Sequence, residues 1–137
     1  MKRILAVDYG KKRIGLAISD ELGLCAHPCG VIKNTSKAID EIKDIVIKNK
    51  IQKVIVGVPY WDKPSEIISE IEKFVKILKE VLEIDIELIN EFYSTKIAEE
   101  KVRSIGKKYK KVKKKIDSYA ACVILQDYLE QTQTKDT

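Results

Sequence analysis

The chain of 137 residues carries 26 Lys and Arg against 21 Asp and Glu, a formal net charge of +5, and 45% of its residues are hydrophobic. That length and apolar content fit one packed core, with residues 1–131 as a single domain and 132–137 as a frayed tail, and they exclude global disorder. No apolar run approaches the roughly 18 residues of a membrane span, and an acid at position 8 interrupts the N-terminus too early for a signal peptide, so a cytoplasmic protein without a membrane partner is expected.

Residues 3–7 form a short apolar run that stops at Asp8-Tyr9-Gly10, and residues 13–19 form a second run beyond a basic turn, the pattern of a hairpin. A third extended stretch, 24–32, contains Pro28 and Gly30 and suits an edge strand or a bulge. From 36 to 50, Ile39, Ile42, Ile45 and Val46 recur at helical steps with charges between them. Residues 53–58 are nearly all apolar and β-branched, as a strand covered on both faces should be, and Pro59 closes them. An amphipathic helix follows over 65–82, then a fifth strand over 84–89. A shorter helix is expected over 95–105, ended by Gly106, and a last one over 116–131. The order β-β-β-α-β-α-β-α-α predicts an α/β fold with a five-stranded mixed sheet and helices on both faces.

Three carboxylates stand where carboxylates are disfavoured. Asp8 ends an apolar strand, Glu91 directly follows another, and both belong at the carboxyl ends of parallel strands, where open α/β sheets place their sites. Asp117 shares a helical face with Ala120, Ala121, Ile124 and Tyr128, the stripe that should pack on the sheet. Each has a plain alternative: a loop cap for Asp8, a favourable helix-dipole contact for Glu91, an N-cap near Ile116 for Asp117. Burying carboxylates is costly without compensation, and hard oxygen ligands suit Mg²⁺ or Mn²⁺. Two such ions about 4 Å apart serve phosphodiester hydrolysis with no cysteine or histidine nucleophile.

These residues resemble the YqgF-type family of Holliday junction resolvase-like proteins, pre-16S rRNA nucleases of the RNase H-like superfamily. The segment ILAVDYGKKRIGLAISDELG is similar to the family's opening motif at Asp8, Gly10, Arg13, Ile14, Gly15, Ala17, Ser19 and Asp20. VIVGVP with Ser65-Glu66 is similar to its second block, and DSYAACVILQDYL resembles its closing helix. The resemblance implies an RNase H-like fold and a metal-dependent endonuclease with Asp8, Glu91 and Asp117 as catalytic, metal-binding acids. It implies two substrates, the 5′ region of precursor 16S rRNA, which we favour, and four-way DNA junctions. Ribosomal particles are a further candidate partner, and a monomer and a homodimer both stay open. The chain departs from the family at Asn90-Glu91-Phe92-Tyr93-Ser94-Thr95, where the acid is kept and its Asp and Arg neighbours are not, and at Lys63-Pro64, which replaces a glycine. A nucleic-acid-binding module without catalysis is the alternative that the missing Arg motivates.

Lysines set the expected grip on nucleic acid. Lys11, Lys12 and Arg13 follow Asp8 closely and could hold phosphate beside it, or simply solvate a turn. Residues 107–115 hold seven lysines (Lys107, Lys108, Lys110, Lys111, Lys113, Lys114, Lys115) and no acid, which favours an exposed, mobile segment immediately before Asp117. The other residues carry 19 cations against 21 acids, so the +5 is a mildly acidic body with one basic strap. Tyr60-Trp61 could stack on an unpaired base, although a loop anchor is the simpler reading. Cys25, His27 and Cys29 lack a second pair to complete a zinc site, and Cys122 reads as a small core residue.

Overall fold

The computed structural model describes residues 3–59, 66–90 and 109–135; within the last stretch, side chains are described over 119–132. Five strands form one sheet in the order β3-β2-β1-β4-β5. They are β1 (Arg3–Tyr9), β2 (Arg13–Ser19), β3 (Ala26–Lys33), β4 (Ile51–Val58) and β5 (Asp85–Asn90), with helices α1 (Ala38–Lys48), α2 (Glu66–Val81) and α3 (Tyr109–Lys135). β1 runs antiparallel to β2 and β2 to β3, whereas β1, β4 and β5 are parallel. The expected mixed sheet and edge strand are therefore present. β3 also carries the bulge: Leu16 pairs with Gly30 and Ala17 with Pro28, leaving Cys29 as the extra residue, and Gly30 takes a φ of +103°.

Two-residue alternation sorts the strands between two cores. Leu5, Val7, Ile14, Leu16, Val54, Val56 and Val58 face α1 and α2, which bury Ile42, Val46, Ile71, Phe74 and Leu78 against them. Ile4, Ala6, Ala17 and Ile55 face α3, which contributes Ala121, Ile124, Leu125 and Leu129. Three alanines at this second contact let the helix lie close to the sheet. β4 feeds both cores, which is why its sequence is apolar without alternation.

Residues of the family-like motifs also fasten this frame. Ser19 is 1% exposed, and its Oγ accepts the Ile4 N–H at 2.8 Å, where the β1–β4 pairing shifts register. Ser19→Ala should cost about 1–3 kcal/mol, because a buried N–H loses its acceptor. Urea unfolding should show a lower midpoint at unchanged slope; an unchanged midpoint would mean that water or a shifted strand replaces the hydroxyl. Gln126 pins α3 to the edge strand: its Oε1 accepts the Ala26 N–H at 3.0 Å and its Nε2 donates to the Leu24 carbonyl at 3.3 Å. Asp20 accepts the Leu24 and Cys25 N–H groups at 2.8 and 3.4 Å, and the Leu24 bond above all holds its carboxyl below the usual carboxylate range. Burial pushes the Cys122 thiol up to about 11, in keeping with a core residue.

The last helix corrects one expectation. It begins at Tyr109 and not at 116, so Lys110, Lys111, Lys113, Lys114 and Lys115 are helical rather than part of a mobile linker. Lysine is a good helix former, and no Gly or Pro separates Gly106 from the helix body, so local propensity prevails over charge repulsion. The helix also runs to Lys135, past the expected end at 131. The short helix expected over 95–105 lies outside the described residues. Among the described residues, no helix is long and apolar enough to cross a membrane.

Candidate functional site

Asp8 lies on β1, the central strand, near its carboxyl end. It follows Ile4 and Ala6 at steps of two, so it belongs to the face that α3 covers. It is half-buried and pairs across the hairpin with Gly15. On the other side, the register that sets Val7 against Val56 brings Gly57 next along β4.

Asp117 belongs to α3, the helix that covers this same face, four residues before Ala121 and seven before Ile124 in the chain. α3 lies across β2, β3 and β1, so the elements carrying Asp8 and Asp117 are directly packed. Asp117 stands eight residues into the helix, which removes the N-cap alternative. Its side chain is outside the described set. Glu91 follows Asn90, the last residue of β5, and also lies outside it. Among the described residues, no group of three or more His, Cys, Asp or Glu is placed to hold a metal ion, and the Cys25, His27 and Cys29 set is included in that statement. Asp8 itself fits a hard divalent cation: a carboxylate near the carboxyl end of the central strand with glycine beside it.

The basic turn at residues 10–13 sits beside Asp8. Gly10 is required there, since an added Cβ would collide with the Arg13 carbonyl oxygen. Gly10→Ala should therefore lower stability by about 2 kcal/mol through backbone displacement, read as a drop in thermal midpoint. Lys11 and Lys12 are exposed, and Arg13 is half-buried. Lys11 Nζ lies 3.9 Å from Glu66 Oε2, an exposed pair that contributes little and yields readily to another anion. Asn34, which the sequence reading did not single out, grips this turn: its Nδ2 donates to the Gly10 carbonyl at 2.7 Å and its N–H to the Lys12 carbonyl at 2.9 Å. A bond between residues 24 apart leaves no local sequence signal.

Opposite chemistry occupies the far end of the α3-covered face. Lys53, in register with Ile4 and so about 13 Å along the strands from Asp8, donates to Glu87 Oε1 at 2.9 Å and lies 5.2 Å from the Tyr128 ring centre. Burial works against the Lys53 charge, but its bonds to Tyr128 and Glu87 outweigh that and hold its pKa above the normal value. These contacts tie β4 and β5 to α3. A cleft of about 420 Å³ lined by Arg3, Ser19, Asp20, His27 and Cys29 also opens at the end of β1 away from Asp8. Tyr60, Trp61, Lys107 and Lys108 lie outside the described residues.

Known proteins are similar to this chain in sequence and in fold. The RuvX family, described as Holliday junction resolvase, matches residues 2–131. A "Putative pre-16S rRNA nuclease" of Sulfurihydrogenibium sp. is 39% identical over 135 residues, covering 96% of this chain and 92% of that protein. A protein of the same description from Chlorobium chlorochromatii is 37% identical over 135 residues, covering 95% and 96%. Among solved structures, Thermus thermophilus RuvC in complex with a Holliday junction substrate superposes with a TM-score of 0.62 at 14% identity, covering 96% of each chain. The fowlpox virus Holliday junction resolvase superposes with a TM-score of 0.58 at 17% identity, covering 95% of this chain and 99% of that one. At those identities the two structures speak for the fold, a mixed five-stranded sheet with helices of the RNase H-like kind.

Proposed function

Because the chain belongs to the RuvX family of Holliday junction resolvases, we propose that it is a metal-dependent endonuclease acting on structured nucleic acid, with the 5′ region of precursor 16S rRNA as its substrate. The observation that carries this reading is Asp8, a half-buried carboxylate at the carboxyl end of the central strand, on the face packed by the helix that holds Asp117. Residues 1–131 act as one nuclease domain. The names of the relatives favour the RNA, and the family's own description favours the DNA junction as the second reading.

Asp8, Glu91 and Asp117 would hold Mg²⁺ or Mn²⁺, which when bound lowers the pKa of a water and stabilises the leaving oxygen in phosphodiester hydrolysis. Carboxylates are suited to this because they are hard, charged at neutral pH and acceptor-only. Lys11, Lys12 and Arg13 hold substrate phosphate beside Asp8. The lysines at 107–115 hold the backbone further along. Only three of the 26 cations are Arg, so bidentate reading of guanine is poorly supplied and recognition rests on shape and backbone.

Incubating the protein with a precursor 16S rRNA fragment and with a four-way DNA junction, each in Mg²⁺, Mn²⁺ and EDTA, tests the reading. Cleavage of the RNA that EDTA abolishes is the expected result. Cleavage of the junction alone would transfer the assignment to the second substrate, and binding without cleavage of either would leave a non-catalytic module.

A further inference from the structure

We propose that Asn34 is a positioning residue for the basic turn beside Asp8. The turn has three residues, Gly10, Lys11 and Lys12, between two strands. Asn34 bonds the carbonyls at both of its ends, Gly10 through the side-chain amide and Lys12 through the main-chain N–H. The bonds come from the segment that leaves β3, where Lys33 pairs with Arg13 and delivers Asn34 to the turn. Lys11 and Lys12 meanwhile stay exposed, so the backbone is held while the ammonium groups remain available to a ligand.

The consequence is geometric. A lysine is a long, flexible chain, and where its ammonium can reach is decided by where its backbone is anchored. Asp8 lies two residues before Gly10, on the strand that leads into the turn, so fixing the turn fixes the offset between carboxylate and lysines. A phosphate held by Lys11 and Lys12 then stands at a set distance from Asp8, and small errors in such offsets are costly to positioning. Asparagine suits the task because its amide offers an N–H donor on a short chain; Asp has no donor at neutral pH and Ser is too short to span the gap. The inference rests on the reading of Lys11 and Lys12 as phosphate contacts.

The test is a double-mutant cycle on the full chain, reading the Kd for a labelled precursor 16S rRNA fragment in EDTA, with thermal unfolding recorded alongside. Asn34→Ala should weaken binding by about 3–10-fold, and Lys11→Gln with Lys12→Gln should weaken it by at least as much. Combined, the Asn34→Ala factor should vanish, because no lysine remains to be positioned. Asn34→Ser keeps a polar side chain, serves if the alanine variant is unstable, and should behave alike. A full additional factor in the lysine-free background would assign Asn34 a structural role only and overturn the proposal, as would no effect of Asn34→Ala on the wild-type background. An unchanged Kd in the lysine variant would overturn both this inference and the phosphate role of the turn. The nuclease reading itself would still stand or fall separately, on the loss of cleavage in Asp8→Asn.

Discussion

Asp8→Asn abolishes metal-dependent cleavage, with an expected rate loss of about 10²–10³-fold, the scale seen when one group that stabilises developing charge is removed. That loss corresponds to about 3–4 kcal/mol of barrier. The substitution is isosteric and the residue half-buried, so the fold should persist with the thermal midpoint shifted by only a few degrees. Affinity for substrate without divalent cation should stay near wild type or rise slightly, since a negative charge beside the phosphate path has gone. Single-turnover cleavage in Mg²⁺ or Mn²⁺, with melting and affinity measured on the same preparation, separates these effects. Equal cleavage by the mutant would remove Asp8 from the site.

Replacing the seven lysines of 107–115 by Gln flattens the dependence of log affinity on log salt. Each phosphate neutralised contributes about −0.9 on duplex or −0.7 on single strands, so seven full contacts would be an upper bound of roughly 5–6 units. The helical start of α3 lowers that figure. At 3.6 residues per turn, Lys110, Lys113 and Lys114 share the face of Asp117, whereas Lys111 and Lys115 fall well off it. A flattening of about 2–4 units is expected, with the larger share lost on substituting Lys113 and Lys114 rather than Lys111 and Lys115. An unchanged slope would reduce the segment to a solubilising helix end. Lysines crowded at a helix N-terminus oppose the macrodipole and repel at i to i+3 and i+4 spacings, so a polyanion should also raise the helicity of residues 109–115.

Much of the fold was legible because its signals are local. β2 spans 13–19 as its apolar run predicts, β4 shows the unbroken β-branched pattern of a doubly covered strand, and Pro28 and Gly30 mark the edge strand and its bulge. The start of α3 is hard to read because the charge density of the lysines points to mobility, while their helix propensity and the lack of a Gly or Pro between Lys107 and Asp117 decide the backbone. Of the predicted site, the structure places Asp8, Lys11, Lys12 and Arg13 around one turn and Asp117 on the facing helix.

What was not legible depends on contacts across long sequence separations. Ser19 and Gln126 read as motif residues of unknown duty, and their bonds to Ile4, Ala26 and Leu24 show that they hold strand and helix ends in place. Asn34 carries no periodicity or motif at all, and its role emerges only when β3 returns the chain to the Asp8 turn. Lys53 clasps Glu87 and Tyr128 across β4, β5 and α3, contacts that no local pattern announces.

Asp8, Glu91 and Asp117 are proposed to form one divalent-metal site together, and Mn²⁺ binding followed by electron paramagnetic resonance tests this by a readout other than turnover. Wild type, Asp8→Asn, Glu91→Gln and Asp117→Asn are titrated with Mn²⁺ in the presence of a precursor 16S rRNA fragment. Saturable binding by the wild type, weakened at least tenfold by each single substitution, is expected. Wild-type Mn²⁺ affinity in all three variants would contradict it.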